Sequence, residues 1–360
     1  MLRLSRLSRA ALLPALLAVA ACDSGGETVD VDGVLVGNQG TFGNDASGTV
    51  TVADADGSDA RALALPDGLV QDVVVVDGDV FVLRNFSDSF TTGRGRIDVL
   101  DGETLAVTAQ IEAGTPRGMA VAAGTAFVPS LYGAAVTPIS LATLTAGTPI
   151  PVGDNPEGIA AVGTRVYVAN SGFGAGSTLS VIDAATQAVV ETVELGCAGP
   201  NDVLADGDGD VWVLCTGASD FTTGEVTADG QVVTVDGATG AVVARDRFAG
   251  ETIGGAALGT DLAFDRDRNA VFALQSRAGA DDRVVRYDAG ANVRGLVLDV
   301  GGADVAGIAV GDGRIYLGRL DAANPFSDDG EVTVHTIDGT QTASFGAGVI
   351  PAAFALQIDR

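Results

Sequence analysis

The 360-residue chain has no lysine, one histidine, one tryptophan and three cysteines. Without lysine, 20 basic residues stand against 47 acidic ones, for a formal net charge of −27. A surface of that sign repels nucleic-acid phosphates and anionic membrane surfaces, so neither is an expected partner. The lone histidine, His335, lies in a predicted strand. One strand-borne imidazole supplies neither a His-containing metal cluster nor a Ser-His-Asp arrangement, which sets metalloprotease and His-dependent triad chemistry aside. The acid excess reads equally as adaptation to concentrated salt, in a halophilic source, and as the trace of G+C-rich codon usage.

The first 22 residues, MLRLSRLSRAALLPALLAVAAC, carry three arginines, a punctuated apolar run too short to span a bilayer permanently, and small residues before a cysteine. That is a secretory signal. Its end, Val19-Ala20-Ala21-Cys22, resembles a bacterial lipobox, which implies cleavage before Cys22, acylation of its sulfur and a protein hung from a membrane by lipid. Residues 1–21 are thus expected to be a lipoprotein signal peptide, 22–32 a Gly-, Ser- and acid-rich flexible tether, and 33–360 the folded unit. The expected location is the cell envelope, at the outer membrane or cell surface. An exported pair of remaining cysteines, Cys197 and Cys215, is a disulfide candidate.

Within 33–360 the stretch from Glu157 to Pro200, EGIAAVGTRVYVANSGFGAGSTLSVIDAATQAVVETVELGCAGP, shows four short β-rich runs separated by turn residues. Second-strand copies recur at Val34, Val80, Ala126, Val166, Val211, Val271 and Ile315. Asp54, Asp101, Asp183, Asp236, Asp288 and Asp338 end the third strands, where an aspartate bonds its own backbone two residues on and closes the turn. The third copy has Ser140 there. The first copy lacks a strand before Val34, whereas the C-terminal Ala352–Ile358 has the character of an inner strand. A lone four-stranded meander leaves both faces and edges open, so the copies should stack in a ring. The reading is all-β: a seven-bladed β-propeller of four-stranded antiparallel blades, closed by the C-terminal strand. The 47% hydrophobic content and 50 glycines suit many buried strands and turns.

The segments Val166–Asn170, Val181–Asp183 and Gly196–Pro200 resemble the YVTN repeat of bacterial surface propellers, and the resemblance implies a YVTN or YncE-like propeller. Asn38-Gln39-Gly40-Thr41-Phe42-Gly43 is similar to the Asn-Glu-Gly-x-Phe opening of Bacteroidetes surface propellers, with Gln39 replacing Glu. That likeness implies capture of a bulky cofactor such as cobalamin beside a TonB-dependent transporter.

In such a meander the second-to-third loops and the links between blades share one end. Those loops hold Phe42, Phe86, Phe90, Tyr132, Phe173, Phe221 and Phe326, which suggests an aromatic binding surface for a small molecule or an envelope protein. The competing reading has these rings plugging the blade tops. Residues ending the second strands (Asn38, Arg84, Ser130, Asn170, Cys215, Gln275, Arg319) and those entering the inner strands (Gln71, Arg117, Glu157, Asn201, Thr260) are read as a polar floor. Arg84, Arg117 and Arg319 are expected to orient polar groups of a ligand, together with Asn170. Binding without catalysis and without a cofactor is the favoured function. The enzymatic alternative is a lactonase or esterase holding a divalent cation in the channel through Glu157, Asn201, Asp202 and Asp261; a surface interaction scaffold is the third. The run Asp206, Asp208, Asp210 reads as an Asp-Gly turn, because an EF-hand's bidentate glutamate is replaced by Gly217.

Overall fold

The computed structural model describes residues 31–65, 67–220, 222–257, 259–277, 280–302 and 304–358. The segment read as a signal, Cys22, most of the segment read as a tether, and Phe221 lie outside the described residues. Seven antiparallel sheets follow one another along the chain, each built on one of the expected second strands: Val31–Asn38, Asp79–Asn85, Thr125–Ser130, Arg165–Asn170, Asp210–Cys215, Ala270–Gln275 and Arg314–Arg319. The C-terminal strand Pro351–Ile358 pairs antiparallel with Val31–Asn38 as the innermost strand of the first sheet. This joint fastens the two ends of the chain in one sheet and closes the ring, so no blade is left with an open inner edge.

The core is divided among the seams rather than gathered at one centre. Seven apolar clusters each draw on two neighbouring blades, for example Tyr167, Leu179 and Val181 against Val203, Val211 and Val233 in the seam between the fourth and fifth. Strand periodicity explains this, since alternate side chains leave opposite faces of a radial sheet and so meet the blades on either side. Burying each Leu- or Phe-sized group contributes about 1.5–3 kcal/mol. The large aromatics fill seams and send their polar tips across. Tyr167 Oη donates to the Gly237 carbonyl at 2.7 Å, Tyr316 Oη to the Ala55 carbonyl at 2.6 Å and Tyr287 Oη to Asp246 Oδ2 at 2.8 Å.

The turns behave much as their residues dictate. Asp236 and Asp338 accept from the N–H two residues on, at Ala238 (3.0 Å) and Thr340 (3.2 Å), as expected, and Asp101, Asp183 and Asp236 also accept from the backbone N–H and the hydroxyl of the threonine three positions on, at 2.7–2.8 Å. Asp206 accepts from the N–H groups of Asp208 and Asp210 and from Trp212 Nε1, which makes that acidic run a turn. The third blade departs most. Pro138 stands in its third strand and donates no N–H, and the outer strand breaks into Thr145–Ala146 and Ile150–Pro151. The long fifth-blade loop folds into its own hairpin, Ala218–Ser219 with Val226–Ala228. The first blade begins already at Val31, inside the segment read as tether.

Adjacent inner strands approach closely near the axis. A Cβ on Gly307 would lie 2.3 Å from the Ala352 carbonyl oxygen, and one on Gly158 2.7 Å from backbone atoms of Asn201 and Asp202. Only glycine fits this approach.

Candidate functional site

The inner strands of the second, fourth, fifth and seventh blades each carry a register irregularity near their entry, at Val70/Asp72, Pro156/Ile159, Pro200/Asp202 and Val305/Gly307. Such bulges re-aim side chains, and they set Gln71, Asp72, Glu157, Asn201 and Asp202 on a central cavity of about 510 Å³. The polar groups there are largely engaged with one another. Arg117 Nε donates to Glu157 Oε2 at 2.7 Å and its Nη1 to Gln71 Oε1. Asp202 Oδ2 accepts from the N–H groups of Asp261 and Leu262 at 2.8 Å, tying the fifth blade to the sixth. Asp261 accepts from Gly255 N–H at 2.8 Å and from Asn201 Nδ2 at 3.2 Å.

Burial pushes the Asp72 carboxyl up from 3.8 to about 7, against the Val73 N–H bond and with a smaller push from the Asp202 charge. Burial alone pushes Asp202 up to about 6, against the backbone bonds that favour its charged form. Asp261, 1% exposed, rises to about 8 through burial and then the Asp202 charge. A native carboxyl that holds its proton to higher pH than the unfolded one favours the fold on the acid side. Stability is therefore fully present near the unfolded value of 3.8, declines as pH rises through about 6 to 8, and is flat beyond. The melting temperature is expected to fall between about pH 5 and about pH 9, and Asp261→Asn to flatten the upper part of that fall. A variant profile parallel to the parent's would show that general charge repulsion, not Asp261, sets the slope.

Of the quartet, Glu157, Asn201 and Asp202 line the channel and Asp261 is buried behind Asn201, with the carboxylates bonded to Arg117, Asn201 and backbone N–H groups. Among the described residues no group of three or more His, Cys, Asp or Glu is placed to hold a metal ion.

The column ending the second strands is a set of latches rather than the floor of the mouth. Each of its members shares a face with residues that pack on the preceding blade, as Asn170 does with Val166 and Val168, so it caps a seam and looks away from the axis. Asn38 Nδ2 donates to Thr49 and Thr51 Oγ1 at 3.0 Å, and Asn170 Nδ2 to Thr178 Oγ1 at 2.8 Å and Ser180 Oγ at 3.1 Å. Asn170 Oδ1 also accepts from Gly153 N–H at 3.1 Å. Arg84 is wholly enclosed and ion-paired with Asp98. Arg319 donates through Nε to Thr333 Oγ1 at 3.1 Å and through Nη2 to the Val300 carbonyl at 2.8 Å, in a separate cleft lined by Asp321 and Asp329 at the base of the Phe326 loop. Cys215 forms a disulfide with Cys197, Cα atoms 6.1 Å apart. Of the three arginines read as ligand-orienting, Arg117 alone lies at the mouth.

The aromatic loops do converge. Phe42, Phe86, Phe90, Tyr132 and Phe326, from the loops of blades one, two, three and seven, line a cup of about 470 Å³ floored by Leu69, Leu131 and Ile350. Phe42 is 80% exposed, Phe90 73%, Phe173 62%, Phe326 59% and Tyr132 40%. Rings that plugged blade tops would be buried, so for these five packing is a poor account. Phe86 is half-buried under the Arg94 and Arg96 guanidiniums, 4.7 and 5.6 Å from its centroid. Tyr132 stands edge-on to Phe90 at 5.4 Å and tilted to Phe173 at 6.1 Å, so Phe173 extends the row over the fourth blade. Phe173 is held at φ 54°, ψ 44°, a left-handed conformation unusual for a bulky residue.

The loops are tied down locally. Ser47 Oγ accepts from Thr41 N–H at 2.7 Å, Ser89 Oγ from Phe86 N–H at 2.8 Å, and Asp45 Oδ1 from Ser87 N–H at 2.7 Å, which links the first loop to the second. Gly40 sits at φ +90°, and a Cβ there would come within 2.7 Å of the Ser47–Gly48 backbone. Gln71 and Arg117 line both cup and channel and form the septum between them. Residues missed in the sequence reading are Asn85, Leu69, Leu131 and Ile350; as single apolar or amide positions beside strand ends they carry no pattern of their own.

Fold and site together define a seven-bladed β-propeller with an acid-lined channel and an aromatic cup on its loop face. No family model matches the chain, and no curated protein sequence matches it. Among solved structures it is similar to a chain of Kuenenia stuttgartiensis hydrazine synthase (TM-score 0.63, 16% identity, 79% of this chain and 88% of that one). It is also similar to apo AztD from Citrobacter koseri (TM-score 0.55, 11% identity, 89% and 96%). A chain of a mitotic checkpoint complex aligns likewise (TM-score 0.57, 13% identity, 87% and 96%). At these identities the likeness is one of fold.

Proposed function

We propose that this protein is a lipid-anchored propeller of the cell envelope that captures a bulky, partly planar ligand in the aromatic cup, without catalysis, for delivery to a transporter. The observation that carries the reading is the exposure of rings brought together from loops nearly 300 residues apart around one apolar concavity. Preordered loops lose little entropy on binding, which favours affinity. The Asn38–Gly43 motif supports a corrinoid of the cobalamin type as the ligand, because Gln39, Gly40 and Phe42 form one wall of the cup. The strained Phe173 backbone also supports a functional rather than packing role for that ring. The engaged channel carboxylates favour binding over a metal-dependent lactonase.

The test uses full-length protein in lipid nanodiscs, incubated with hydroxocobalamin, haem and flavin mononucleotide and then separated by gel filtration. One of these is expected to be retained. Phe42→Ala and Phe326→Ala are each expected to weaken retention by about 2 kcal/mol, roughly 30-fold, while leaving the melting temperature unchanged. Loss of stability in every alanine variant, with nothing retained, would return the rings to a packing role. Hydrolysis of lactones with added calcium is expected to stay at background, and turnover abolished by Glu157→Gln and Asn201→Ala would overturn the non-catalytic reading. For the anchor, Cys22→Ser should move the protein from the membrane to the soluble fraction; no change would remove it.

A further inference from the structure

The charge of the occupant follows from what surrounds the cup, given the capture reading above, on which this inference rests. We propose that the cup selects a ligand bearing a fixed positive charge on a planar organic frame.

The walls are aromatic faces, whose quadrupoles attract a cation brought within about 6 Å. Phe86 already shows this chemistry toward Arg94 at 4.7 Å. The bases nearest the cup already have counter-charges: Arg94 and Arg96, over the Phe86 ring, pair with Asp88 at 3.6 Å and Asp98 at 3.2 Å. Among the described residues lining the cup, Arg117 is the only base, and its guanidinium is taken by Glu157 and Gln71.

The loops that supply the cup's rings also carry carboxylates. Asp45 bonds the Ser87 backbone at the wall, Asp88 follows in the same loop, and Asp328 and Asp329 belong to the loop of Phe326. Below the septum Asp72 and Asp202 line the channel, with Asp261 buried behind Asn201. With a net charge of −27, this low-dielectric concavity concentrates a negative potential that raises the local concentration of cations.

Asn85 adds a specific acceptor. It is 8% exposed, it lines the cup, and its side-chain Oδ1 has no hydrogen-bond partner. A buried carbonyl oxygen left unpaired is costly, and an N–H or polarised C–H of an organic cation satisfies it.

The experiment compares three dyes of one shape at about pH 8, where acridine is neutral: N-methylacridinium, acridine and acridinecarboxylate. Binding to the full-length protein in zwitterionic nanodiscs is measured by equilibrium dialysis, with empty nanodiscs subtracted. N-methylacridinium is expected to bind about tenfold more tightly than acridine, and acridinecarboxylate least. Added salt should narrow the difference. The double variant Phe42→Leu/Phe326→Leu keeps apolar bulk but loses the π faces. It is expected to weaken N-methylacridinium binding more than acridine binding, so that the ratio of the two affinities shrinks toward one. Equal affinities, or tightest binding of the anion, would overturn the charge inference and leave the capture reading standing. Binding of none of the three, together with an empty cofactor panel, would overturn both.

Discussion

Asp98→Ala is expected to cost about 3–5 kcal/mol of folding stability, the largest single-residue effect argued for this protein. Arg84 and Asp98 are both 0% exposed and ion-paired inside the second blade. Asp98 also holds Arg96 Nε at 3.2 Å and accepts from Gln110 Nε2 at 2.8 Å. Removing the carboxylate leaves a buried guanidinium, already drawn toward its neutral form by burial, without its main counter-charge. The double variant Arg84→Met/Asp98→Leu replaces the pair with apolar volume and should recover most of the loss. Urea unfolding of the three proteins decides the matter. A single variant within about 1 kcal/mol of the parent would mean that the pair is hydrated in solution. Arg84 shares its strand with Asn85 and lies against Gly68 beside Leu69, so the single variant is expected to weaken ligand retention as well.

Losing the Cys197–Cys215 bond is expected to cost about 3 kcal/mol, since the crosslink closes a chain segment of 18 residues in the unfolded ensemble. That segment contains the inner strand Pro200–Ala205, and with it Asn201 and Asp202 of the channel. Cys197→Ser/Cys215→Ser should therefore unfold at lower urea, and dithiothreitol should shift the parent to the same midpoint. Alkylation of the unreduced parent should leave its mass unchanged. A parent insensitive to dithiothreitol, with two alkylated cysteines, would show two free thiols instead. Because disulfides persist in oxidising compartments, the bond accords with an exported protein.

The fold was legible to the level of single strands. All seven second strands include their expected start positions, the aspartate column falls at strand ends or, for Asp101 and Asp338, in the turn just beyond, and the C-terminal strand closes the first blade. The reason is physical: each blade is a local meander whose alternation and turn residues are written in about forty consecutive positions, and a ring follows once every blade must cover its faces with the next. In the third blade the outer strand is broken into two short pieces opposite Pro138, a proline that an alternation count ignores.

The site was legible only in part. Chain order told which end carries Phe42, Phe86, Phe90, Tyr132 and Phe326, because antiparallel connectivity alone assigns loops to ends. It did not tell where polar side chains of the second strands point. Asn38, Arg84, Asn170 and Arg319 share a sequence column that looks like a pocket lining, yet a radial sheet turns such side chains toward the neighbouring blade, where they become latches and a buried ion pair. The cup itself joins residues nearly 300 positions apart, from Gln39 to Phe326, with an apolar floor supplied by the closing link at Ile350. Sequence by itself thus determined the repeat, the closure and the face. The tertiary ring decided which side chains share a cavity, because blade order around a closed circle places the first and seventh loops side by side, and no local pattern encodes that adjacency.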